Sequence, residues 1–476
     1  INIIVMKNKL RSILKLKKFL PIIIIFAIGT YFRLYDFPKT IGWNGDIGRD
    51  FLAGYLIAEK KAFTQIGHAN SGIGYYYPPY YYYFIALLHK IMNTKQIFLF
   101  FVLSHSVSIV ILYFTVKNFF TKNIAILTSL LFSLSPIAIS IATIPITAHF
   151  SLIIFITSLY FFSSYLRSKK KNLLTLSILL LIITTTIFYG AIFFIPVYAY
   201  LLWFKSKKEN KLNNLYRFII QTIIMFFILF IPVMNKNEAK KLFFISTSYL
   251  EQNYTLNINS ITKQINRIFI QFKYIVLPFI TLCLLLIKKR KKELLFLLQI
   301  IISMLLIIGF NKESLDHYLI LLTPIWYISI SLIFFELLSQ KKLLIAVLYS
   351  LIIITSTGIY NPLKFVTRWT NYETYKILLN KLSLSEQENV YMSSKFSQNN
   401  WDSRSLWYLL KNSEFEFNSN NSQINLKHNN SAKTFYICKK FDKNEEKCSF
   451  LKNNNNLILS EQFVINYINF DIYIEK

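Results

Sequence analysis

Asp46, Arg49, Asp50, Glu59 and His68 lie close together in a chain that is otherwise rich in long apolar runs, within WNGDIGRDFLAGYLIAEKKAFTQIGHANSGIGYYYPPYYYY, Trp43 to Tyr83. A carboxylate can take a proton, a guanidinium can receive an anion, and an imidazole can serve either purpose near neutral pH. Ionisable groups among membrane segments are costly and are retained where they serve a function. Each residue also has a structural reading. Asp46 could cap a helix starting near Ile47, Asp50 could pair with Arg49, Arg49 could extend to headgroups, and His68 could sit in a solvated, glycine-rich turn.

What must position these groups is a membrane scaffold. The 476 residues are 54% hydrophobic and 17% aromatic, with runs of Ile, Leu and Phe that no charge interrupts. This is the composition of an α-helical polytopic membrane protein. The net charge of +30 raises the question of nucleic acid, and its distribution answers it. Up to Tyr360 there are 38 basic and 11 acidic residues, against 15 and 12 afterwards, so +27 of the excess belongs to the apolar part. There it forms short clusters between apolar runs, as the positive-inside rule places them in cytoplasmic loops, and no phosphate-binding face emerges.

Lys7 to Lys18 is basic and precedes an apolar run from Phe19 to Tyr31, read as a retained first helix with its N-terminal side in the cytoplasm. Further apolar runs span about 97–116, 123–142, 149–166, 173–189, 191–204, 215–234, 268–287, 294–310, 318–338 and 343–359. Basic clusters occupy every second gap: Lys117 to Lys122, Arg167 to Lys171, Lys205 to Lys211, Lys288 to Lys292, and Lys341 with Lys342. If residues 78–92 also crossed, every cluster would move outside. They are therefore expected to be juxtamembrane or re-entrant, with the tyrosine run as an interfacial aromatic belt.

The expectation is about 11 transmembrane helices over residues 1–360, with a first extracytoplasmic loop, 36–95, carrying the site. Tyr189 and Gly190 are expected to form a tight turn between two short helices, and about 235–267 an interfacial amphipathic segment. From 361 to 476 the sequence becomes polar and Asn-rich, with strand-like TFYIC and FVINYINF and helix-like NYETYKILLNKL. This predicts a small C-terminal extracytoplasmic α/β domain. Cys438 and Cys448 flank a turn-like segment and could close a disulfide in an oxidising compartment, whereas Cys283 reads as a small buried hydrophobe.

The order of a first helix, GDIGRD, the amphipathic FLAGYLIAEKK, IGHANSGIG and YYYPPYYYYFIALLHKI resembles the GT-C glycosyltransferases. The nearer resemblance is to the branch of protein O-mannosyltransferases and aminoarabinose transferases, family 39 in type. Members of that branch often carry an acidic element ending in arginine, then a Pro-Pro-Tyr-Tyr-like element. Asp46 matches the first acid and Arg49 the arginine, while Ile47 stands where a second acid is common. NKESLDHYLILLTPIWYIS is similar to a later patch of the branch, with His317 and Tyr318 at its polar and aromatic positions.

The resemblance implies transfer of a sugar from a polyprenyl-phosphate donor to a lipid, glycan or protein acceptor at the extracytoplasmic face of the cytoplasmic (inner) membrane. Asp46 would be the catalytic base, and Arg49, Asp50, His317, Tyr318 and His68 would contact substrate or lipid phosphate. No metal ligand set is evident and no cofactor is assigned, while a divalent metal is compatible with the site. Membrane lipids are the expected surroundings, and nucleic acid is not an expected partner. The alternative is a transporter or flippase of lipid-linked glycans, against which no charge recurs at mid-span and no inverted repeat is visible.

Overall fold

The computed structural model describes residues 19–61, 63–64, 66–68, 77–205, 211–234, 320–339 and 341–357, together with short pieces and strands of the tail. The segment 235–267, the runs 268–287 and 294–310, Cys283, Cys448, His317 and Tyr318 lie outside the described residues. The helices in order are α1 (Phe19–Leu34), α2 (Gly45–Lys60), α3 (Tyr80–Ile91), α4 (Thr94–Phe119), α5 (Lys122–Leu134), α6 (Pro136–Thr143), α7 (Thr147–Ser168) and α8 (Lys171–Ile187). A 3₁₀ turn (Tyr189–Phe193) leads into α9 (Phe194–Lys205), followed by α10 (Lys211–Met234), α11 (Thr323–Ser339) and α12 (Leu343–Thr357).

Among the described residues, four stretches are long and apolar enough to cross a membrane: Thr94–Phe119, Thr147–Ser168, Leu212–Phe230 and Ile320–Ser339. The pair α5 and α6 passes the same test jointly, and shorter apolar helices occupy Phe19–Leu34, Lys171–Ile187 and Tyr189–Phe204. The chain is a multi-pass membrane protein.

One departure from the apolar reading and one agreement with it shape the site. The run 123–142 is not one straight helix, because α5 and α6 meet at a 58° bend. Ser135 caps the second helix and Pro136 occupies its first position, where a missing N–H is tolerated. Residues 78–92 supply α3, whose 12 residues rise only about 18 Å at 1.5 Å each, too short for a hydrocarbon core of about 30 Å. Instead α3 lies against α2. Gly54 makes the approach close: a Cβ there would stand 2.4 Å from Ile85 Cγ2 and 3.1 Å from the Ala86 amide nitrogen.

Two apolar clusters hold these elements. One binds α1, α4, α5, α7, α8, α9 and α11 through residues such as Leu112, Phe132, Phe155 and Ile328. The other packs α2 and α3 on the N-terminal end of α4 through Trp43, Phe51, Ile85 and Phe98, with Ile144 and Ile187 joining from the ends of neighbouring helices. Trp43, Ile47 and Phe51 recur every fourth residue, so one face of α2 is fixed in this cluster.

In the tail, β1 (Asn389–Met392), β4 (Thr434–Lys440), β5 (Leu457–Ile465) and β6 (Ile468–Glu475) form a sheet in the order β1-β4-β6-β5. The β1–β4 pair is parallel and the others antiparallel, with β5 and β6 joined as a hairpin in which Ile465 faces Ile468. A separate two-stranded sheet pairs β2 (Phe415–Asn418) with β3 (Gln423–Leu426). The strand-like TFYIC and FVINYINF thus lie in β4 and in the β5–β6 hairpin. Of NYETYKILLNKL, only Lys376 and Ile377 are described, both helical.

Candidate active site

The site is built on the first turns of α2. Asn44, not Asp46, is the N-cap: its side-chain oxygen accepts from the Ile47 amide at 3.0 Å. The capping alternative for Asp46 is thereby filled by a neighbour, and Asp46 is left in the first turn with its side chain 40% exposed. One turn on, Asp50 is wholly buried. Arg49 joins the two. Its Nη1 donates to Asp46 Oδ1 at 2.9 Å, while its Nε and Nη2 donate to Asp50 Oδ1 at 2.8 and 2.7 Å. All three guanidinium nitrogens therefore face a carboxylate.

Burial alone would lower the Arg49 pKa. Asp50, and then Asp46, outweigh it and raise the value above its ordinary one, so this arginine stays charged. Two carboxylates around one guanidinium leave the cluster formally anionic. The unequal exposure of the acids divides their work: Asp50 anchors the arginine from inside, and Asp46 presents a carboxylate to the space outside the helix.

His68 is brought to the same place by a short extended pairing. The Gly67 amide donates to Tyr77 O at 2.6 Å, and the Tyr77 amide to His68 O at 3.0 Å. Gly67 permits this, since a Cβ would meet Pro78 O at 2.8 Å. The imidazole stacks on Tyr77 at 4.5 Å, and Tyr77 stacks on Tyr189 at 4.4 Å. Burial pushes the His68 pKa well below its ordinary 6.5, the charge of Arg49 pushes it the same way, and Asp46 opposes them. The ring is neutral at physiological pH.

A pH dependence follows from this. The unfolded chain protonates His68 as pH falls through about 6.5, whereas the folded chain resists until lower pH. In that window the unfolded state binds more protons, so stability declines as pH drops below about 6.5, by at most about 1.4 kcal/mol per pH unit for one group. Thermal melts from about pH 7.5 to about pH 5 are expected to show a shallower acid-side slope for His68→Gln than for the parent chain. Equal slopes would mean that His68 is not the titrating group.

Reasoning from sequence did not single out Tyr82. It is 1% exposed, its ring lies 6.4 Å from that of His68, and it acts electrostatically on Arg49. Its neighbours act as struts: the hydroxyls of Tyr80, Tyr81 and Tyr83 donate to the carbonyls of Leu229, Pro145 and Thr64 at 2.8, 3.0 and 2.5 Å. The sequence signal was present in the run itself, since successive tyrosines on a helix point in different directions and cannot all serve one interface. Glu59, at the far end of α2, is exposed and lies 3.9 Å from Lys90, away from the cluster.

Among the described residues no three His, Cys, Asp or Glu side chains converge on a metal position. The cation between Asp46 and Asp50 is the guanidinium of Arg49. The site as described is therefore a carboxylate held beside an arginine, with a neutral imidazole and a buried phenol nearby, an arrangement suited to taking a proton from a hydroxyl.

Comparison with known proteins supports this reading of the fold. Residues 77–235, about a third of the chain, match the sequence model of the dolichyl-phosphate-mannose-protein mannosyltransferase family. No curated protein matches by sequence. ArnT from Cupriavidus metallidurans in the apo state is similar in structure at a TM-score of 0.59 and 11% identity, over 95% of this chain and 97% of that one. The same protein bound to undecaprenyl phosphate gives 0.54 and 10% over the same shares. The oligosaccharyltransferase of Archaeoglobus fulgidus, in complex with Zn and sulfate, gives 0.51 and 12%, over 82% of this chain. The chain spans 57% of that archaeal protein's length. The chain shares its fold with these proteins.

Proposed function

We propose that the chain is a membrane glycosyltransferase that moves a sugar from a polyprenyl-phosphate donor to an acceptor hydroxyl, with Asp46 as base. The observation that carries this reading is the accessible Asp46 carboxylate, fixed by Arg49 at the start of α2, in a GT-C fold. One structural neighbour was solved with undecaprenyl phosphate, which supports a lipid-phosphate donor for this chain as well.

Asp46 takes the acceptor proton as the acceptor oxygen attacks the anomeric carbon. The bond from that carbon to the phosphate oxygen breaks, and its electron pair leaves with the polyprenyl phosphate. A single displacement of this kind inverts the anomeric centre, as in inverting glycosidases. Arg49 chiefly orients the base, because both carboxylates already engage it. With the cluster formally anionic, the charge developing on the phosphate calls for donors beyond Arg49, a role assigned to His317 and Tyr318. His68, as a neutral ring, can hydrogen-bond a sugar hydroxyl.

The catalytic loop is assigned to the extracytoplasmic face, within a transmembrane domain of about 11 spans over 1–360, and 361–476 to a small extracytoplasmic domain on the same side. The charge parity of the loops supports this orientation. In a cysteine-free background, a single cysteine at Lys39 is expected to react with an impermeant thiol reagent applied outside, and one at Ser168 to resist it. The reverse pattern would invert the orientation and remove the external site.

The function itself is tested by incubating purified protein with candidate polyprenyl-phosphate sugars and detecting free polyprenyl phosphate by mass spectrometry. A flippase moves the donor intact, whereas a transferase releases the lipid phosphate.

A further inference from the structure

Arg33 lies wholly buried in the last turn of α1. Its Nη1 donates to the carbonyls of Gly29 at 3.0 Å and Ser133 at 3.1 Å, its Nη2 to that of Phe132 at 3.3 Å, and the guanidinium sits 5.6 Å from the centroid of the Phe132 ring. Phe132 and Ser133 belong to the last turn of α5, where carbonyls lack helical partners and the helix dipole is negative. The residue four beyond Phe132 is Pro136, which has no N–H to offer. Arg33 supplies the donor that the proline withholds. From the other side, the Tyr327 hydroxyl of α11 donates to Ser135 Oγ at 2.5 Å, and the same oxygen accepts from the Ala138 amide at 3.1 Å.

The carbonyls beyond this joint hold the active site. Thr143 O, at the end of α6, accepts from the Gly42 amide at 3.0 Å, two residues before the Asn44 cap of α2. Pro145 O accepts from Tyr81 on α3, beside Tyr82. A buried guanidinium is a costly way to close a helix end, and an apolar side chain of similar volume often serves stability as well or better. The geometry points to a different use: we infer that Arg33 is a positioning residue, which sets the α5–α6 bend and, through Thr143 and Pro145, the placement of α2 and α3. Tyr327 sets the same joint from α11, the helix that follows His317 and Tyr318. The structural link stands by itself, and only its catalytic consequence rests on the role proposed for Asp46.

The test is hydrogen exchange on the intact protein in lipid nanodiscs, comparing the parent chain with Arg33→Met, Arg33→Lys and Tyr327→Phe. Arg33→Met is expected to speed exchange of the Gly42 amide and the first turn of α2 about tenfold, the loss of roughly one hydrogen bond, while α7 and α8 keep parental rates. Arg33→Lys, which keeps the charge but cannot bridge both carbonyls, and Tyr327→Phe are expected to show smaller shifts at the same segment. Even acceleration throughout the protein, unchanged exchange at Gly42, or failure of all three variants to insert would overturn the proposal. Exchange needs no substrate, so its outcome is independent of whether sugar transfer is found. Where transfer is measured, Arg33→Met is expected to lower kcat about a hundredfold, as misplacement of a reacting group by about 1 Å can, with the donor KM unchanged. A raised KM at unchanged kcat would contradict the positioning of the base.

Discussion

Replacing Asp46 with asparagine is expected to reduce turnover about a hundredfold to ten-thousandfold, the usual yield of a positioned general base. Asparagine preserves the size of the side chain and an oxygen to accept from Arg49, but it takes no proton. The fold should not register the change. Asp46 is 40% exposed, holds Arg49 through one nitrogen, and is not the cap of α2, since Asn44 fills that position. The comparison is turnover per inserted protein, with thermal melting alongside. Near-parental turnover would remove the base assignment, and a large fall in melting temperature would show that Asp46 is structural.

Asp50 is expected to behave in the opposite way. It is wholly buried and receives two of the three guanidinium nitrogens of Arg49, whose own side chain is only 12% exposed. Removing one member of a buried ion pair leaves a desolvated charge and typically costs about 3–5 kcal/mol. Asp50→Ala should therefore lower the melting temperature and the yield of inserted protein sharply. Replacing both partners, Arg49→Met with Asp50→Leu, should recover much of that stability without recovering turnover, because apolar pairs of similar volume often replace buried ion pairs without loss. If the single variant melts like the parent, the pair contributes nothing to the placement of α2. Were the double variant to regain turnover, Arg49 would not be orienting the base.

The difference between these two acids was not legible in the sequence. GDIGRD shows two aspartates and an arginine at helical spacing, which is enough to place them on neighbouring turns but not to say which one is buried. Burial is decided by the second apolar cluster, in which Trp43, Ile47 and Phe51 fix the rotation of α2 against α3 and α4. The long apolar helices among the described residues were readable, because apolar runs of this length have few alternatives. The bend at Ser135 was not, since a hydropathy window averages over it. The local signal was Ser-Pro inside the run, a cap followed by a residue suited to a helix start. Arg33 is hidden for a related reason: two of its three carbonyl partners lie about a hundred residues away, and carbonyls leave no trace in residue types. The tyrosine run suggested an interface because of its composition, whereas its hydroxyls reach three separate carbonyls that only the fold brings near.

The most direct measurement is the anomeric configuration of the transferred sugar. With whichever polyprenyl-phosphate sugar of known configuration supports turnover, the glycosylated acceptor is isolated and its anomeric proton coupling read by nuclear magnetic resonance, with free polyprenyl phosphate quantified in the same reaction. Single displacement assisted by Asp46 predicts one lipid phosphate released per sugar transferred, and inversion at the anomeric carbon. Retention of configuration would call for a double displacement or a same-face attack and would contradict Asp46 as the base of a single inverting displacement, and donor relocated across the membrane without release of lipid phosphate would contradict the transferase itself.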